Sequence, residues 1–167
     1  MLRDLAESYI SVLKIVEGTS VDGEGLRTSI YAAGCSHKCP GCHNPQSWSI
    51  DNGIWMSVDE IFNHIQESGL NVTFTGGDPF FQADAFAELA YRIKTETDKT
   101  IWCYTGYTAD RLCRMGFPLL RYVDVLVDGP FIQSKKDSTL RFRGSSNQRI
   151  IHLTPEVEDK TPGTVEI

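Results

Sequence analysis

The sequence predicts an α/β protein with a mostly parallel sheet that forms a partial, open (β/α) barrel. Short apolar, β-branched runs alternate with helical patterns of about 10–15 residues, an order typical of parallel strands joined by helical crossovers. The chain has 167 residues, which is fewer than the roughly 250 of a full eight-fold barrel. We therefore expect a single domain over residues 1–167 in which the barrel is incomplete.

The individual elements follow from the hydrophobic period and from capping residues. Strands are predicted at residues 10–16, 28–33, 71–75, 100–104, 123–127 and 149–153. Helices are predicted at residues 58–68, 83–95 and 108–116. A capping box that begins at Ser57 precedes the first helix, and Gly69 ends this helix. The stretch 49–56 is predicted to be irregular, and residues 154–167, rich in Pro, Glu, Asp and Thr, to be a flexible tail.

Three of the five cysteines lie together in a short loop after the second predicted strand. They are Cys35, Cys39 and Cys42, with the spacing C-x3-C-x2-C. Pro40 and Gly41 break regular structure, so the chain can curl with its three thiols turned inward. Three thiolates suit a four-iron, four-sulfur cluster whose fourth iron stays open, and an open iron can bind a substrate.

A zinc site is the alternative interpretation of this loop. A tetrahedral structural zinc usually takes four ligands as two separated pairs, whereas this chain has a trio of cysteines and no second C-x2-C pair. A zinc knuckle with three cysteines and one histidine would need His37 or His43 as its fourth ligand. The chain would then be a non-catalytic, zinc-stabilised binding module.

The composition argues against several other classes of protein. The formal net charge is -6 and the isoelectric point about 5.2, whereas a general nucleic-acid binder is more often basic. No apolar run approaches the roughly 20 residues of a membrane span, and no signal-peptide pattern opens the chain. Five cysteines with three of them clustered do not indicate a disulfide framework. We therefore expect a protein of the reducing cytoplasm that binds neither nucleic acid nor membrane.

Each predicted middle strand ends in a turn of unusual composition. The second strand leads into the cysteine loop, and later ones into the segments 76–79 (Gly-Gly-Asp-Pro), 105–107 (Thr-Gly-Tyr) and 128–130 (Asp-Gly-Pro). Parallel strands bring these ends to one rim of the sheet, where α/β proteins bind ligands. The pair Gly76-Gly77 would let the backbone approach a ligand closely. A tight turn into the next helix is the alternative explanation of this pair.

Several motifs resemble, in order, those of one known family. They are Asp-Gly-x-Gly-x-Arg at 22–27, the cysteine run at 35–48, Thr-Gly-Gly-Asp-Pro at 75–79, Trp-x-Tyr-Thr-Gly-Tyr at 102–107, Val-Asp-Val-Leu-Val-Asp-Gly at 123–129 and Arg-Gly-Ser-Ser-Asn-Gln at 143–148. With them the chain resembles the radical S-adenosylmethionine (SAM) superfamily and, within it, the activating proteins of anaerobic (class III) ribonucleoside-triphosphate reductases. The first two motifs are shared with the pyruvate formate-lyase activating enzyme. Activation of another glycyl radical enzyme is therefore the alternative.

The resemblance implies a radical SAM fold and the chemistry of an oxidoreductase. The three loop cysteines would hold a [4Fe-4S] cluster, and SAM would bind the fourth iron. A flavodoxin or ferredoxin would reduce the cluster, and one electron would cleave SAM to methionine and a 5′-deoxyadenosyl radical. That radical would take a hydrogen atom from a glycine of the reductase and leave a stable glycyl radical on this partner.

The resemblance also implies a set of cofactor contacts. These are Gly41, Cys42, His43, Gly76, Gly77 and Asp78. Asp78 stands where the family carries a glutamate that follows two glycines near the methionine amino group. Gly41 stands where many members have an aromatic residue, so only backbone contact with adenine is expected there. A side chain at Gly77 is expected to weaken SAM binding and to leave the iron content unchanged.

Three further residues are candidates for contact with the substrate peptide. The loop 22–27 is expected to face the glycine-bearing peptide, by analogy with the related activase, and a glycine turn would bring the opposite charges of Asp22 and Arg27 near each other. A surface loop with a weak ion pair between them is the alternative. Arg143 lies in a locally basic segment, residues 135–149. This segment could meet the carboxylate of SAM or an acidic patch on the reductase.

Overall fold

The computed structural model of the protein describes residues 8–42 and 45–153. The predicted tail at 154–167 and the predicted adenine contact at His43 both lie outside the described residues. In the part of the chain that is described, no helix has the length and apolar character needed to cross a membrane.

The described residues form one mixed sheet of seven strands. The strands are β1 (Tyr9–Thr19), β2 (Arg27–Ala32), β3 (Ile54–Ser57), β4 (Asn71–Gly76), β5 (Ile101–Tyr104), β6 (Val125–Asp128) and β7 (Arg149–His152). Their order across the sheet is β3-β1-β2-β4-β5-β6-β7. The four middle strands, β2, β4, β5 and β6, pair in parallel. The α/β class and the parallel centre of the sheet are therefore confirmed.

The edges of the sheet differ from the prediction because they are antiparallel. β1 pairs with β2 as a long hairpin, β3 pairs with β1, and β7 pairs with β6. β3 lies inside the stretch predicted to be irregular, so that part of the prediction was wrong. A strand of only four residues has too little periodic pattern to be recognised from the sequence. Two of the four, Ile54 and Trp55, are also more than half exposed. This strand is defined by its pairing with β1 and not by its own composition.

The helices agree closely with their predicted positions. They are α1 (Val58–Ser68), α2 (Ala83–Glu96) and α3 (Ala109–Met115). The side chain of Ser57 accepts from the N–H of Glu60, and the Glu60 side chain accepts from the N–H of Ser57, which completes the predicted capping box. The helix ends at Gly69, whose φ of 70° lies in the left-handed region that favours glycine.

Alternate residues of the middle strands face two different environments. One row across the sheet is fully buried in the main hydrophobic core, together with the helices: Ile30, Phe74, Cys103 and Leu126. The neighbouring row faces the other side and is partly polar: Ser29, Thr73, Trp102 and Val125. The apolar row stabilises the sheet, at about 1.5–3 kcal/mol for each fully buried large side chain. The residues of the second row are buried as well, so other parts of the chain cover this face.

The loop 20–26 between β1 and β2 folds back over this second face. Arg27, which is only 2% exposed, donates from Nη1 to the carbonyl of Glu24 at 2.9 Å and from Nε to Thr73 Oγ1 at 2.9 Å. The Thr73 hydroxyl in turn donates to the carbonyl of Asp22 at 2.7 Å. The loop is therefore held against β4.

Candidate functional site

A pocket of about 350 Å³ opens at the carboxyl ends of the parallel strands. Its size falls within the roughly 300–1,000 Å³ of small-molecule sites. Seven of the predicted site residues line it: Asp22, Cys35, Cys39, Cys42, Gly76, Gly77 and Arg143. Other residues also line it, among them His37 and several that the sequence did not assign to a site, such as Thr75, Tyr104, Phe131, Phe142 and Gln148. The strand ends thus meet around one pocket.

The cysteine loop starts directly after β2 and is tied to the segment that follows it. Gly34 has a left-handed φ of 96°. The N–H groups of Gly34 and Cys35 donate to the carbonyls of residues 47 and 48 at 2.7 and 3.1 Å. The N–H of Cys42 donates to the carbonyl of Cys39 at 3.0 Å, which closes the turn between them. All three thiols are half-buried, and burial raises the pKa of the Cys35 thiol.

The three loop cysteines lie around one pocket, where their thiolates could hold a cluster. Over residues 8–42 and 45–153, no three His, Cys, Asp or Glu side chains form a group that could hold one metal ion. The thiolates of a four-iron cluster each bind a different iron, so they need not converge on one point. His37, one candidate for a fourth zinc ligand, is engaged through Nε2 with Asp78 at 2.7 Å. Three cysteines around one pocket therefore fit a [4Fe-4S] cluster.

The Gly76-Gly77 pair joins β4 to the start of the cysteine loop. The N–H of Gly77 donates to the carbonyl of Ala32 at 2.7 Å, and the N–H of the next residue donates to the carbonyl of Gly34 at 2.9 Å. A Cβ on Gly76 would lie 2.4 Å from the backbone nitrogen of Ala32. A Cβ on Gly77 would lie 2.4 Å from the carbonyl oxygen of Gly34. Both positions therefore require glycine for a close backbone approach.

Gly77→Ala is expected to displace the cysteine loop as well as the pocket wall. The added Cβ would press on two backbone oxygens, those of Gly34 and Ser47, and these cannot yield as a flexible side chain could. We expect iron content and SAM affinity to fall together, each about tenfold or more. The sequence alone led us to expect that a side chain at Gly77 would leave the iron content unchanged. The expected loss of iron differs because the contact between residue 77 and Gly34 is visible only in the structure.

The measurement is iron per chain after anaerobic reconstitution, together with calorimetric titration of SAM. Gly116→Ala is the control, because Gly116 has open space where its Cβ would be, while its left-handed φ of 71° makes alanine more strained in the backbone there than at Gly77. The control should keep iron and SAM binding. Full iron content in Gly77→Ala would show that the contact with Gly34 is tolerated.

Asp78 is buried, forms hydrogen bonds with several protein groups and does not line the pocket. Asp78 is 1% exposed, and its Oδ1 accepts from the N–H of Phe80 at 3.0 Å. Its Oδ2 accepts from the Thr105 hydroxyl and the Gly106 N–H, each at 2.9 Å, and contacts His37 Nε2 at 2.7 Å. The expected contact of this carboxylate with SAM does not fit this geometry. Asp78 instead connects the ends of two strands to the cysteine loop.

Arg27 also lies away from the pocket, and its predicted ion pair with Asp22 is wrong. Its Nη2 donates to the carbonyls of Val72 and Thr100 at 2.9 and 3.0 Å. Burial lowers the pKa of Arg27 to about 10, so the guanidinium is still charged at neutral pH. The carboxylate of Asp22 accepts instead from the hydroxyl of Tyr31. Arg27 therefore supports the loop that carries Asp22 to the pocket.

Two buried polar atoms of pocket-lining residues have no hydrogen-bond partner within the described structure. They are the hydroxyl of Tyr104 and Nε of Arg143, whose Nη1 donates to the carbonyl of Gln148 at 2.8 Å. Buried donors are normally paired, so a ligand that carries acceptor oxygens would satisfy both atoms. Burial raises the pKa of Tyr104, so its hydroxyl is protonated at neutral pH. The sequence did not single out Tyr104, because an unpaired hydroxyl is visible only in three dimensions.

Comparison with known proteins agrees with this geometry. Residues 21–151 match the family described as a 4Fe-4S single cluster domain. The fold and the site therefore define a protein built around one such cluster.

Relatives with a curated name narrow this class further. The chain is 38% identical over 141 residues to a protein of Haemophilus influenzae, with 79% of this chain and 90% of the relative covered. It is 40% identical over 143 residues to one of Vibrio cholerae, with 80% and 92% covered. It is 34% identical over 137 residues to one of the enterobacteria phage T4, with 78% and 86% covered. Each relative is named anaerobic ribonucleoside-triphosphate reductase-activating protein, and this chain belongs to that family.

Proposed function

We propose that this chain is a radical SAM activase that generates a glycyl radical on the anaerobic ribonucleoside-triphosphate reductase. The observation that carries the proposal is the gathering of Cys35, Cys39 and Cys42 with the Gly76-Gly77 pair around one pocket of about 350 Å³. Three protein ligands leave the fourth iron of a [4Fe-4S] cluster for SAM. The names of the relatives support the reductase as the target.

The cluster and SAM, when bound, supply the one-electron cleavage of SAM and the radical chemistry that removes a hydrogen atom from the target glycine. The residues of the chain hold, place and shield these groups. Cys35, Cys39 and Cys42 provide the thiolates. The rings of Phe131 and Phe142 on the pocket wall reduce the access of water.

The remaining pocket residues are proposed to orient SAM. Backbone groups of Gly76 and Gly77 meet its amino group, since no side chain intervenes there. The unpaired Nε of Arg143 binds its carboxylate, which is the acceptor that a guanidinium prefers. The Tyr104 hydroxyl donates to a further oxygen of the ligand.

The adenine contact proposed for residues 41–43 rests on the backbone. Gly41 does not line the pocket, because it lies against the side chain of Gln133. A Cβ on Gly41 would be 1.8 Å from Oε1 of that side chain. Cys42 does line the pocket, so it is better placed than Gly41 for this contact.

The glycine-bearing peptide is proposed to enter beside the loop 20–26. Val21, which is 70% exposed, and Asp22 both line the pocket from this loop. Arg27 contributes only by holding the loop in place. The exposed cations of the segment 135–149, Lys135, Lys136 and Arg141, would attract an acidic patch on the reductase.

We also propose that the sheet is the partial, open (β/α) barrel of a single radical SAM domain over residues 1–167. The polar row of the middle strands would then line the inside of the barrel. The electron donor is proposed to be a flavodoxin or a ferredoxin-type protein. The compartment is proposed to be the cytoplasm, where thiolate ligands stay reduced.

The test is anaerobic reconstitution with iron and sulfide, followed by addition of dithionite, SAM and the reductase. The expected result is brown protein, methionine release and a glycyl electron paramagnetic resonance signal on the reductase. Colourless protein with one zinc per chain would overturn the proposal in favour of a binding module. A signal on another glycyl radical enzyme, without one on the reductase, would overturn only the choice of partner.

Tyr104→Phe is expected to weaken SAM binding and to leave stability unchanged. The substitution removes a hydroxyl that has no partner in the described residues, so the folded chain loses no hydrogen bond. A ligand would lose one hydrogen bond of about 1 kcal/mol, which corresponds to an affinity roughly fivefold lower. Calorimetry with SAM measures the affinity, and urea unfolding measures the stability. An unchanged affinity would remove Tyr104 from the proposed contacts.

A further inference from the structure

His37 lies inside the cysteine loop, between Cys35 and Cys39, and protein groups enclose its ring. Its side chain is 17% exposed. A Cβ on Gly106 would lie 2.6 Å from the imidazole, so the ring fits only because that residue is glycine. The ring of Tyr107 packs edge-on against it, with centroids 4.6 Å apart and an interplanar angle of 79°. The imidazole is therefore confined by the segment that follows β5.

The hydrogen bond from His37 reaches a carboxylate that is itself fixed. Nε2 of His37 lies 2.7 Å from Oδ2 of Asp78 and donates to it in the tautomer that carries the proton on Nε2. The same oxygen accepts from the Thr105 hydroxyl and the Gly106 N–H. One hydrogen bond therefore connects the cysteine loop to the carboxyl ends of both β4 and β5. Hydrogen bonds to ionised groups are about twice as strong as neutral ones.

The part of the loop beside His37 needs such a restraint. Residues 33–39 have no regular secondary structure, and Lys38 has a φ of 49°, a left-handed conformation that is costly for a residue with a side chain. Such conformations persist where the surroundings hold them in place. Cys35 and Cys39 lie within two residues of His37. Backbone hydrogen bonds hold the start of the loop at Gly34 and Cys35, so loss of the His37–Asp78 bond would loosen the part after Cys35 and change the position of the Cys39 thiol relative to the Cys35 thiol.

We propose that His37 is a positioning residue that latches the cysteine loop to the sheet, and that this latch preorganises the thiols for the cluster and slows the cluster's loss. The latch consists of protein groups alone, so it does not depend on a bound cluster. The consequence for the cluster rests on the proposed ligation by the three cysteines, whereas the latch itself does not. His37 acts through Asp78 and the loop and is not a metal ligand in this proposal.

The first experiment uses cluster-free, reduced full-length protein and limited digestion with trypsin. Lys38 is exposed within the loop, so the rate of cleavage after Lys38 reports loop opening. Cleavage after Lys136, which is also exposed, serves as the internal reference. We expect His37→Ala to raise the ratio of cleavage after Lys38 to cleavage after Lys136 about tenfold. His64→Ala, on the exposed face of α1, is the matched histidine control and should leave the ratio unchanged.

The second experiment uses the reconstituted protein and measures iron release to a chelator. We expect release from His37→Ala to be about tenfold faster than from the parent chain. His37→Gln keeps a donor that can reach Asp78 and should restore most of the difference, whereas His37→Leu, of similar size but without a donor, should not. Gly106→Ala, which displaces the imidazole without removing it, should reproduce the effect of His37→Ala.

Unchanged cleavage after Lys38 and unchanged iron release in His37→Ala would overturn the proposal. Equal acceleration at Lys38 and Lys136 would also overturn it, because the effect would then be global unfolding. Failure of the ligation proposal is recognised separately, since the cysteine variants would then retain iron. The trypsin result in cluster-free protein would still decide whether the latch exists.

Discussion

Replacing Cys35, Cys39 or Cys42 with alanine is expected to remove the [4Fe-4S] cluster and with it all cleavage of SAM. Each thiol lines the pocket, and each would bind a different iron, so none can substitute for another. The loss should exceed the roughly 10–100-fold typical of residues that only support a metal ligand. Iron and sulfide analysis, the visible spectrum and methionine release under dithionite measure this result.

The two other cysteines provide internal controls for this prediction. Cys113 is exposed on α3, and Cys103 is fully buried in the core at β5. Cys113→Ala should retain iron and SAM cleavage in full. Cys103→Ala should also retain them, with a loss of stability of about 1 kcal/mol from the cavity left by the sulfur. Retention of cleavage by any of the three loop variants would contradict the assignment of the cluster ligands.

Arg27→Ala is expected to lower the free energy of unfolding by about 3–5 kcal/mol. The side chain is 2% exposed and is among the largest that the core encloses completely. Its removal would leave a cavity and would take donors away from the carbonyls of Glu24 and Val72. Because the total stability of a domain is about 5–15 kcal/mol, this variant would be close to unfolding.

Urea unfolding of the reduced, cluster-free protein measures this effect, since release of a cluster would make the transition irreversible. Arg27→Lys keeps the positive charge but cannot donate in several directions at once, so it should recover only part of the loss. Arg92 is the control, because its ion pairs with Asp59 and Glu96 lie on the surface. Arg92→Ala should cost less than about 1 kcal/mol. A similarly small loss in Arg27→Ala would refute a structural role for Arg27.

Local sequence signals predicted the helices because each signal acts over a few residues. The capping box at Ser57, the stop at Gly69 and the spacing of the buried residues of α1 are properties of one short segment. The middle strands were recognised for a related reason. They are short, apolar and bounded by glycine-containing turns, and they pair in parallel as the alternation with helices indicates.

Prediction failed where a contact joins distant parts of the chain. β3 is a strand because it pairs with β1, about 45 residues earlier in the chain. Arg27 was assigned to the peptide site by analogy with a related activase, and its charge gave no sign of burial, since a charged residue is normally exposed. Apart from the carbonyl of Glu24, its donors are satisfied by carbonyl and hydroxyl groups 45–73 residues away in sequence. Nothing in the local sequence around Arg27 indicates those partners.

The sequence by itself determined the α/β class, the positions of the helices and the identity of the three clustered thiols, since spacing and composition are sufficient for each. The tertiary structure alone decided which of the flanking residues face the pocket. It places Tyr104 and Arg143 on the wall, and it places Asp78 in a buried network with His37. The physical reason is that the direction of a side chain depends on strand register and packing, which bring together groups that are far apart along the chain.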